Sequence, residues 1–430
     1  MQQIDKLSFR AFSFLFLFAM FFPVFHNQFG SSGAILVNGG LILGIIGYFL
    51  IFQKFKFFFS CPYQKKIFLI FSFLFIFFFF HITISMIIGN IIGGIEIIKR
   101  DMYEFHRPVL YLLTFSLAFL VFSQIGAIAL FEKALLIVFL LIVLLGINHY
   151  FGIYDALTEL YTKELNIRTR RVSAPFGNPY DYAFMMSFFI LYFFLKMIFT
   201  AKFYLIYFLI AVVMFILPQS RSVAVGFMVG FFVILPIIFL MIGFNFKNFV
   251  ITKKLVSFIS SLFLFTLTFV CYIPYLIENY GYLTGQFIRL IEGDGIGSSA
   301  TARVDQLLFA FEKSSENVLI FIFGNGPAKS EMEYVESIYT YQFYRYGLLG
   351  FFLNFLVIKV LLIYFSWKIL KNTVRDDLNY PLIFTILIWL LTVPLMSIGN
   401  NFTEQIRLSF FFYSIAGLVA AIYSLRYRKY

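Results

Sequence analysis

The sequence predicts an all-α polytopic membrane protein, and composition and run length both indicate this fold class. Of its 430 residues, 61% are hydrophobic, 13% are charged and 66 are Phe. A soluble domain carries about twice that charged fraction. The apolar residues form successive runs of about 17 to 25 residues, the length that a helix needs to cross a bilayer. These features exclude soluble enzymes, secreted disulfide scaffolds and DNA-binding domains, so we expect no nucleic-acid partner.

About twelve transmembrane helices follow one another in a single membrane domain that covers residues 1–430. Their predicted ranges are 8–25, 34–52, 67–92, 108–125, 134–153, 182–199, 203–217, 223–243, 255–277, 341–366, 381–399 and 404–425. No Ala-x-Ala cleavage site follows Phe25, so we interpret the first run as a retained helix. Two polar loops interrupt the series, a shorter one at 154–181 and a large one at 278–340 between helices nine and ten.

The charges predict the orientation of the protein. The side that holds both termini carries 19 bases and four acids, and the opposite side carries 14 bases and 17 acids, which together give the net charge of +12. The positive-inside rule makes the first side cytoplasmic. We therefore expect an inner-membrane protein with both termini in the cytoplasm and both long loops in the periplasm of a Gram-negative cell.

The external bases are mostly arginines, whereas the cytoplasmic bases are 15 Lys and four Arg. Arginine binds phosphate and carboxylate groups bidentately, so this enrichment indicates an anionic ligand on the outer face. The alternative is that each arginine lies at the membrane interface and pairs with external acids. The external arginines are Arg100, Arg107, Arg168, Arg170, Arg171, Arg221, Arg289, Arg303, Arg345 and Arg407.

The predicted membrane interior contains few ionisable groups. His81 lies near the middle of a span and Lys359 lies toward the inner end of another. Ion-coupled carriers usually keep acids or histidines along a central path, because such groups are costly in a membrane without a function. This pattern disfavours a carrier, and we interpret His81 as a hydrogen-bonded packing residue.

The loop at 154–181 begins with an apolar stripe that predicts a helix along the membrane surface. Its arginines are Arg168, Arg170 and Arg171. Asn178 is then placed to cap the next helix, with Pro179 at its first position. Free backbone amides beside three arginines indicate an anion site. The alternative is a basic surface helix followed by an ordinary helix cap.

A tight turn at residues 218–222 joins spans seven and eight, and it holds Arg221 at the membrane surface. A base on this side has no topological role under the positive-inside rule, which favours ligand binding over an interfacial position.

The large loop contains a predicted helix at about 301–313, with Arg303 in its first turn. Further along, Glu333 and Glu336 are spaced to share one helical face before Tyr339 and Arg345. A carboxylate whose proton affinity is raised by a like neighbour or by burial could act as a general base. The alternative is an exposed acidic stretch.

Five short motifs occur in one order along the chain. They are Phe176-Gly-Asn-Pro179, Ser220-Arg-Ser222, Ala300-Thr-Ala-Arg303, Phe323-Gly-Asn-Gly326, and Glu336-Ser337 followed by Tyr346-Gly-Leu-Leu-Gly350. Their order and sidedness resemble those of the O-antigen polymerase and ligase superfamily of membrane glycosyltransferases. The motifs cover residues 155–350, and the span count and loop placement extend the resemblance over the whole chain.

The resemblance implies a type C-like fold and a metal-independent glycosyltransferase without a cofactor. Its donor glycan is linked to undecaprenyl pyrophosphate, its partners include membrane lipids and lipid-linked oligosaccharide repeat units, and a chain-length regulator protein is an optional partner. Carried over by motif, Arg221 and Arg303 hold the pyrophosphate as catalytic residues. The implied substrate-binding residues are Arg168, Arg170, Arg171, Asn178, Arg289, Tyr339 and Arg345.

One departure from the family pattern favours the polymerase branch. In ligases, a His opens the motif that begins here with Glu336, and this sequence has no His after His149. The resemblance therefore implies an O-antigen polymerase of lipopolysaccharide biosynthesis, with Glu336 as the candidate base. The alternatives are an O-antigen ligase that joins glycan to lipid A-core and, more distantly, a flippase for lipid-linked oligosaccharide. A flippase is expected to have short loops and charged helix interiors.

Overall fold

The structure of the protein is a computed structural model that describes residues 6–25, 31–53, 59–124, 126–243, 253–285, 298–373, 377 and 379–426. Over these residues the chain forms helices and connecting turns, without a strand. The predicted all-α class is therefore confirmed for the described part of the chain. Arg289 and the glycine-rich segment 292–297, which belong to the predicted large loop, lie outside the described residues.

The α-helices are numbered in chain order. Those of the first half are α1 (Lys6–Phe21), α2 (Ser31–Tyr48), α3 (Pro62–Ile91), α4 (His106–Phe122), α5 (Ala127–Phe151), α6 (Asp155–Glu159), α7 (Glu164–Arg168), α8 (Pro179–Phe199) and α9 (Tyr204–Ile216). Those of the second half are α10 (Arg221–Val229), α11 (Leu235–Gly243), α12 (Lys253–Asn279), α13 (Ser298–Ser315), α14 (Val318–Phe323), α15 (Ile338–Gly350), α16 (Ile358–Lys371), α17 (Tyr380–Met396) and α18 (Ile406–Arg426). A short helical segment also covers 281–285.

Nine helical stretches of the described chain are long and apolar enough to cross a membrane, which supports a polytopic membrane protein. Two of these stretches each consist of two helices joined by a π-helical segment. Gly230–Ile234 joins α10 to α11, and Phe351–Val357 joins α15 to α16. The first, seventh and eleventh predicted spans fall on α1, α9 and α17, which have 16, 13 and 17 residues. A helix of 13 residues is about 20 Å long, shorter than the hydrocarbon layer of about 30 Å. The count of twelve spans therefore stays a prediction.

Helices α8 and α18 form the centre of the molecule. In their most apolar windows, 89% of α8 and 94% of α18 are buried, compared with 6% of α12. The ring of Phe188 in α8 lies 5.5 Å from that of Trp389 in α17 and 5.0 Å from that of Phe411 in α18. Helix α12 is peripheral, with apolar side chains facing outward, as expected of a helix in contact with lipid.

The ion pairs agree with the predicted division of charges between two sides. Pairs join residues assigned to the same side, namely Arg100 with Glu333, Arg303 with Glu336, Lys196 with Glu132, and Arg426 with Asp377. The first two pairs lie at the end of the molecule that carries segments 154–178 and 298–337, which we call the loop end. In these four pairs, charges that the sequence assigns to one side are thus close together in space.

Two local predictions about the loops are wrong. The surface helix expected after Tyr154 is two short helices, α6 and α7, because residues 160–163 form a turn between them. Residues 331–337 form no helix, so Glu333 and Glu336 do not share a helical face. By contrast, the helix predicted at 301–313 is present as α13, but it begins at Ser298, so Arg303 lies in its second turn instead of the predicted first turn.

Candidate active site

One cavity at the loop end brings together five of the ten predicted site residues. The cavity has a volume of about 380 Å³, which is within the range of small-molecule sites. We call it the arginine cavity. The described residues that line it are Arg171, Asn178, Pro179, Tyr180, Gln219, Ser220, Arg221, Ser222, Tyr282, Arg303, Glu336, Gly399 and Asn400.

Two arginines of the cavity lie against one aromatic ring. The guanidinium carbons of Arg171 and Arg221 are 4.0 Å and 4.3 Å from the ring centroid of Tyr282. Burial lowers the pKa of Arg171, and the nearby charge of Arg221 lowers it further. Partial burial raises the pKa of the Tyr282 phenol, but the hydrogen bond with Arg221 and the charge of Arg171 outweigh it, so this pKa is lowered. Cation–π contacts thus hold two like charges beside the cavity.

Arg221 is positioned by the turn between α9 and α10. Gln219 in this turn has a φ of 54°, in the left-handed region. Arg221 is the first residue of α10, and the cap residue Ser220 makes no side-chain capping hydrogen bond. The guanidinium therefore accompanies backbone amides at a helix start, where an anion is favoured.

Arg303 and Glu336 line the cavity as an ion pair. Nε of Arg303 lies 2.7 Å from Oε2 of Glu336, and the two side chains are 30% and 45% exposed. One turn along α13, Oε1 of Gln306 accepts a hydrogen bond from the backbone amide of Glu336. Glu333 is not beside Glu336, because it pairs with Arg100 at 2.6 Å. The neighbour of the candidate base is thus an arginine instead of the predicted second acid.

Gly399, in the turn between α17 and α18, also lines the cavity. A Cβ at this position would lie 2.4 Å from Cβ of Ser222 and 3.6 Å from the guanidinium carbon of Arg303. Contacts shorter than 3 Å are not tolerated between such atoms. The absence of a side chain at Gly399 therefore lets Ser222, and with it the start of α10, approach this turn closely at the site.

Asn178 reaches the cavity from the start of α8. Its side-chain Oδ1 accepts a hydrogen bond of 2.9 Å from the amide of Asp181, and Pro179 is the first residue of the helix. The predicted helix cap is therefore confirmed, and it places Asn178 beside Arg171 and Arg221 in the cavity wall.

Arg168 and Arg170 are outside the described lining of the arginine cavity. Arg168 is 75% exposed and pairs with Glu164 on the same short helix. Nη1 of Arg170 lies 2.9 Å from Oδ1 of Asp155. These two positions agree with the alternative interpretation, a basic surface segment in which each arginine has an acidic partner.

Arg345 and Tyr339 are also outside the described lining of this cavity. Arg345 is fully buried, and its Nη1 lies 3.4 Å from Glu404 and 3.7 Å from Glu104. The hydroxyl of Tyr339 donates a hydrogen bond of 2.8 Å to the carbonyl oxygen of Pro394. The predicted substrate contact of Arg345 does not fit this environment, because its charge is already matched by the buried carboxylate of Glu104 and the partly exposed carboxylate of Glu404.

An apolar groove of about 530 Å³ lies next to the arginine cavity, between α9, α10 and α12. Ser220 lines both the cavity and the groove. Tyr282 lines the cavity, and the next residue, Leu283, lines the groove. The side chains along the groove include Phe215, Phe227 and Phe265, which offer no charge. A charged site and an uncharged groove thus meet at the start of α10.

Sequence reasoning missed Tyr282 and Gly399. Tyr282 lies at the start of the predicted large loop, where one more aromatic residue among 27 Tyr and 66 Phe carries no signal. Gly399 precedes Asn400 and Asn401 in a short polar turn between two spans, and this polarity is the signal that could have indicated a site.

Comparison with protein-family models finds no match for this chain. Comparison with curated proteins finds no match either. Within the part of the chain that the structure describes, no three His, Cys, Asp or Glu side chains are grouped as metal ligands. The function must therefore be argued from the geometry of the site.

Proposed function

We propose that this protein is an O-antigen polymerase of the inner membrane, which transfers a polyprenyl-pyrophosphate-linked glycan onto another lipid-linked repeat unit at the periplasmic face. The observation that carries the proposal is the junction of the arginine cavity with the apolar groove. A ligand that fills both spaces must be an anion joined to a long apolar chain. A polyprenyl pyrophosphate has both parts.

The charges of the arginine cavity favour a pyrophosphate. Among the described lining residues, Arg171, Arg221 and Arg303 supply three guanidinium groups and Glu336 supplies one carboxylate. Guanidinium groups bind phosphate oxygens bidentately, and two of these three are held by the ring of Tyr282 before any ligand arrives. The start of α10 adds backbone amides to this anion site.

The apolar groove suits the lipid chain of such a donor. It runs along α10 from Ser220 to Val229 and is walled by α12, whose outer side is apolar and exposed. A polyprenyl chain placed there would remain in an apolar environment while its head group reaches the arginines. The site needs no nucleotide, because the pyrophosphate is itself the leaving group.

The arrangement supports a direct displacement. A hydroxyl oxygen of the acceptor sugar bonds to the anomeric carbon of the donor, and the bond from that carbon to the pyrophosphate oxygen breaks. The hydroxyl proton passes to the carboxylate of Glu336, and polyprenyl pyrophosphate leaves with the bonding electrons. Arg221 and Arg303 stabilise the negative charge that develops on the leaving oxygen.

The ion pair between Arg303 and Glu336 implies that the donor binds before the proton of the acceptor is transferred. Nε of Arg303 lies 2.7 Å from Oε2 of Glu336. A bound pyrophosphate competes for the guanidinium of Arg303 and weakens its hold on Glu336. The carboxylate then becomes available to the acceptor hydroxyl in the complex where its proton transfer is needed.

A polymer-ladder assay tests this proposal. A deletion strain of the producing cell is complemented with wild type, Arg221→Ala, Glu336→Ala or the control Arg168→Ala, whose side chain lies outside the arginine cavity. We expect wild type and the control to give the ladder of long glycans, and the first two variants to leave single-repeat glycan. Full ladders from both variants at normal protein level would remove these residues from the mechanism.

The same assay separates the polymerase from the alternative functions. Loss of all surface glycan in the deletion strain would indicate a flippase or a ligase. Transfer of glycan to lipid A-core by the purified protein would then identify the ligase.

A further inference from the structure

A second polar cavity lies on the other side of the segment from Phe176 to Asp181. It has a volume of about 240 Å³, which equals about eight waters of the liquid and accommodates one sugar ring. We call it the Asp181 cavity. The described residues that line it are Val24, Ala34, Tyr161, Lys163, Phe176, Gly177, Asn178, Asp181, Glu404, Gln405, Ile406 and Arg407.

Asp181 supplies a buried carboxylate to this cavity. The residue is 1% exposed, and its Oδ1 has no hydrogen-bond partner among the described residues. A buried carboxylate oxygen without a partner is costly, so a ligand that donates a hydrogen bond to it is favoured. A hydroxyl group is such a donor.

Arg407 is held beside Asp181 by backbone carbonyl groups. Its Nε donates a hydrogen bond of 2.8 Å to Met20, and its Nη2 donates one of 2.7 Å to Phe22. Tyr161 is anchored to the same end of α1, because its hydroxyl donates a hydrogen bond of 2.8 Å to the carbonyl oxygen of Phe21. These bonds fix the position of a guanidinium and an aromatic ring in the cavity wall before any ligand binds.

The charges of the Asp181 cavity differ from those of the arginine cavity. Among the described lining residues are two bases, Lys163 and Arg407, and two acids, Asp181 and Glu404, so neither sign of charge predominates, although Glu404 also pairs with Arg345. The amides of Asn178 and Gln405 add further donors and acceptors, and Tyr161 and Phe176 add apolar faces. Mixed carboxylate, amide and aromatic groups suit an uncharged polyhydroxyl ligand, whose hydroxyls both donate and accept.

We propose that the Asp181 cavity binds one neutral sugar residue of the glycan that this protein processes. The inference rests on the proposed function and names a part of the substrate that the arginine cavity does not hold. Asn178 lines both cavities, so a glycan bound here is separated from the pyrophosphate site by one segment of chain. Lys163 is exposed, which places the mouth of the cavity at the protein surface.

Binding of two probes to purified protein in nanodiscs tests the inference. The first probe is the oligosaccharide freed by mild acid from the lipid-linked repeat unit of the producing cell, which lacks the pyrophosphate. The second probe is undecaprenyl pyrophosphate. We expect Asp181→Asn to weaken binding of the oligosaccharide about tenfold, the effect of losing a hydrogen bond in a buried site, and to leave binding of the lipid unchanged. Arg221→Ala should have the opposite pattern, and the exposed control Glu312→Gln should bind both probes normally.

Gln405→Ala provides a second variant, because Gln405 is partly exposed and its truncation leaves no buried void. We expect it too to weaken only the oligosaccharide. Should Asp181→Asn fail to give folded protein, as judged by size-exclusion chromatography, Gln405→Ala decides the question. Oligosaccharide binding at the wild-type level in both folded variants, or no oligosaccharide binding by wild type, overturns the inference. Failure of wild type to bind undecaprenyl pyrophosphate overturns the proposed function instead.

Discussion

Arg345 and Glu104 are both fully excluded from solvent, and Nη1 of Arg345 lies 3.7 Å from Oε1 of Glu104. Two further bases surround this carboxylate, with Nε of Arg107 at 2.7 Å and Nζ of Lys329 at 2.6 Å. The hydroxyl of Tyr341 donates a hydrogen bond of 3.0 Å to it. The network joins the start of α4, the chain before α15 and α15 itself. It therefore fixes one end of the segment that carries the candidate base.

The first prediction concerns the stability contributed by this network. Glu104→Gln removes one negative charge. It leaves Arg107, Lys329 and Arg345, which are buried or half-buried, without the carboxylate that they share. Breaking a buried charge network from one side costs about 3 to 5 kcal/mol. We expect a large fall in the melting temperature of the purified protein, measured in one detergent, and a lower level in the membrane.

Glu333→Gln is the matched control for Glu104→Gln. It also removes a charge from an ion pair, but Glu333 and its partner Arg100 are 41% and 45% exposed. Exposed pairs contribute little to stability, so the melting temperature should stay near that of wild type. Equal melting temperatures for the two variants would contradict the structural role of the buried network.

Some of the site could be predicted because its positions depend on local structure. The turn before Arg221 is so short that the position of Arg221 between the two helices is closely restricted. Asn178 lies at a helix start, and a cap is recognisable from neighbouring residues alone. The apolar helices were predictable for a similar reason, since a membrane requires long apolar runs regardless of the tertiary fold.

Other parts depend on residues that are distant along the chain. Arg345 was predicted to bind substrate. Its ion pairs could not be seen in the sequence, because the partners Glu104 and Glu404 lie 241 and 59 positions away. The predicted helix before α15 was wrong because the amide of Glu336 is bonded to the side chain of Gln306 instead of to its own segment. Hydropathy also could not tell a helix that spans the membrane from a shorter one such as α9.

The second prediction concerns Tyr282 as the support for two arginines. Tyr282→Ala removes the ring that lies 4.0 Å from Arg171 and 4.3 Å from Arg221. Each cation–π contact contributes about 0.5 to 2 kcal/mol. We expect the Kd for undecaprenyl pyrophosphate to rise about tenfold, measured in nanodiscs. Tyr282→Phe keeps the ring and should retain most of the affinity, so equal losses in both variants would argue against the role of the ring face.

The third prediction follows from the lowered pKa of the Tyr282 phenol. A phenol whose pKa is lower in the folded state loses its proton more readily there than in the unfolded state. Its contribution to stability is therefore fully present above the ordinary tyrosine pKa of about 10 and is lost as the pH falls through the folded-state value. The melting temperature of wild type relative to Tyr282→Phe should thus increase between pH 8 and pH 10.5. A constant difference over this interval would contradict the assigned contact with Arg221.

The fourth prediction concerns the close approach at Gly399. Gly399→Ala places a Cβ 2.4 Å from Cβ and 2.5 Å from Oγ of Ser222, so α10 must move away from the turn. Arg221 directly precedes Ser222 in the chain, and a shift of about one ångström of Arg221 relative to Arg303 misaligns a site that depends on position. We expect the polymer ladder to fall at least about tenfold in intensity while the protein level stays near normal.

A second-site change distinguishes crowding from other effects of Gly399→Ala. Ser222→Gly removes both atoms that the new methyl group would meet, at a helix cost of up to about 1 kcal/mol. We expect the double variant Gly399→Ala with Ser222→Gly to recover most of the ladder, and Ser222→Gly alone to remain near wild type. Recovery can occur only if the defect arises at the contact between these two residues. A double variant as inactive as Gly399→Ala would mean that the turn before α18 acts on the site by some route other than the spacing of Arg221 and Arg303.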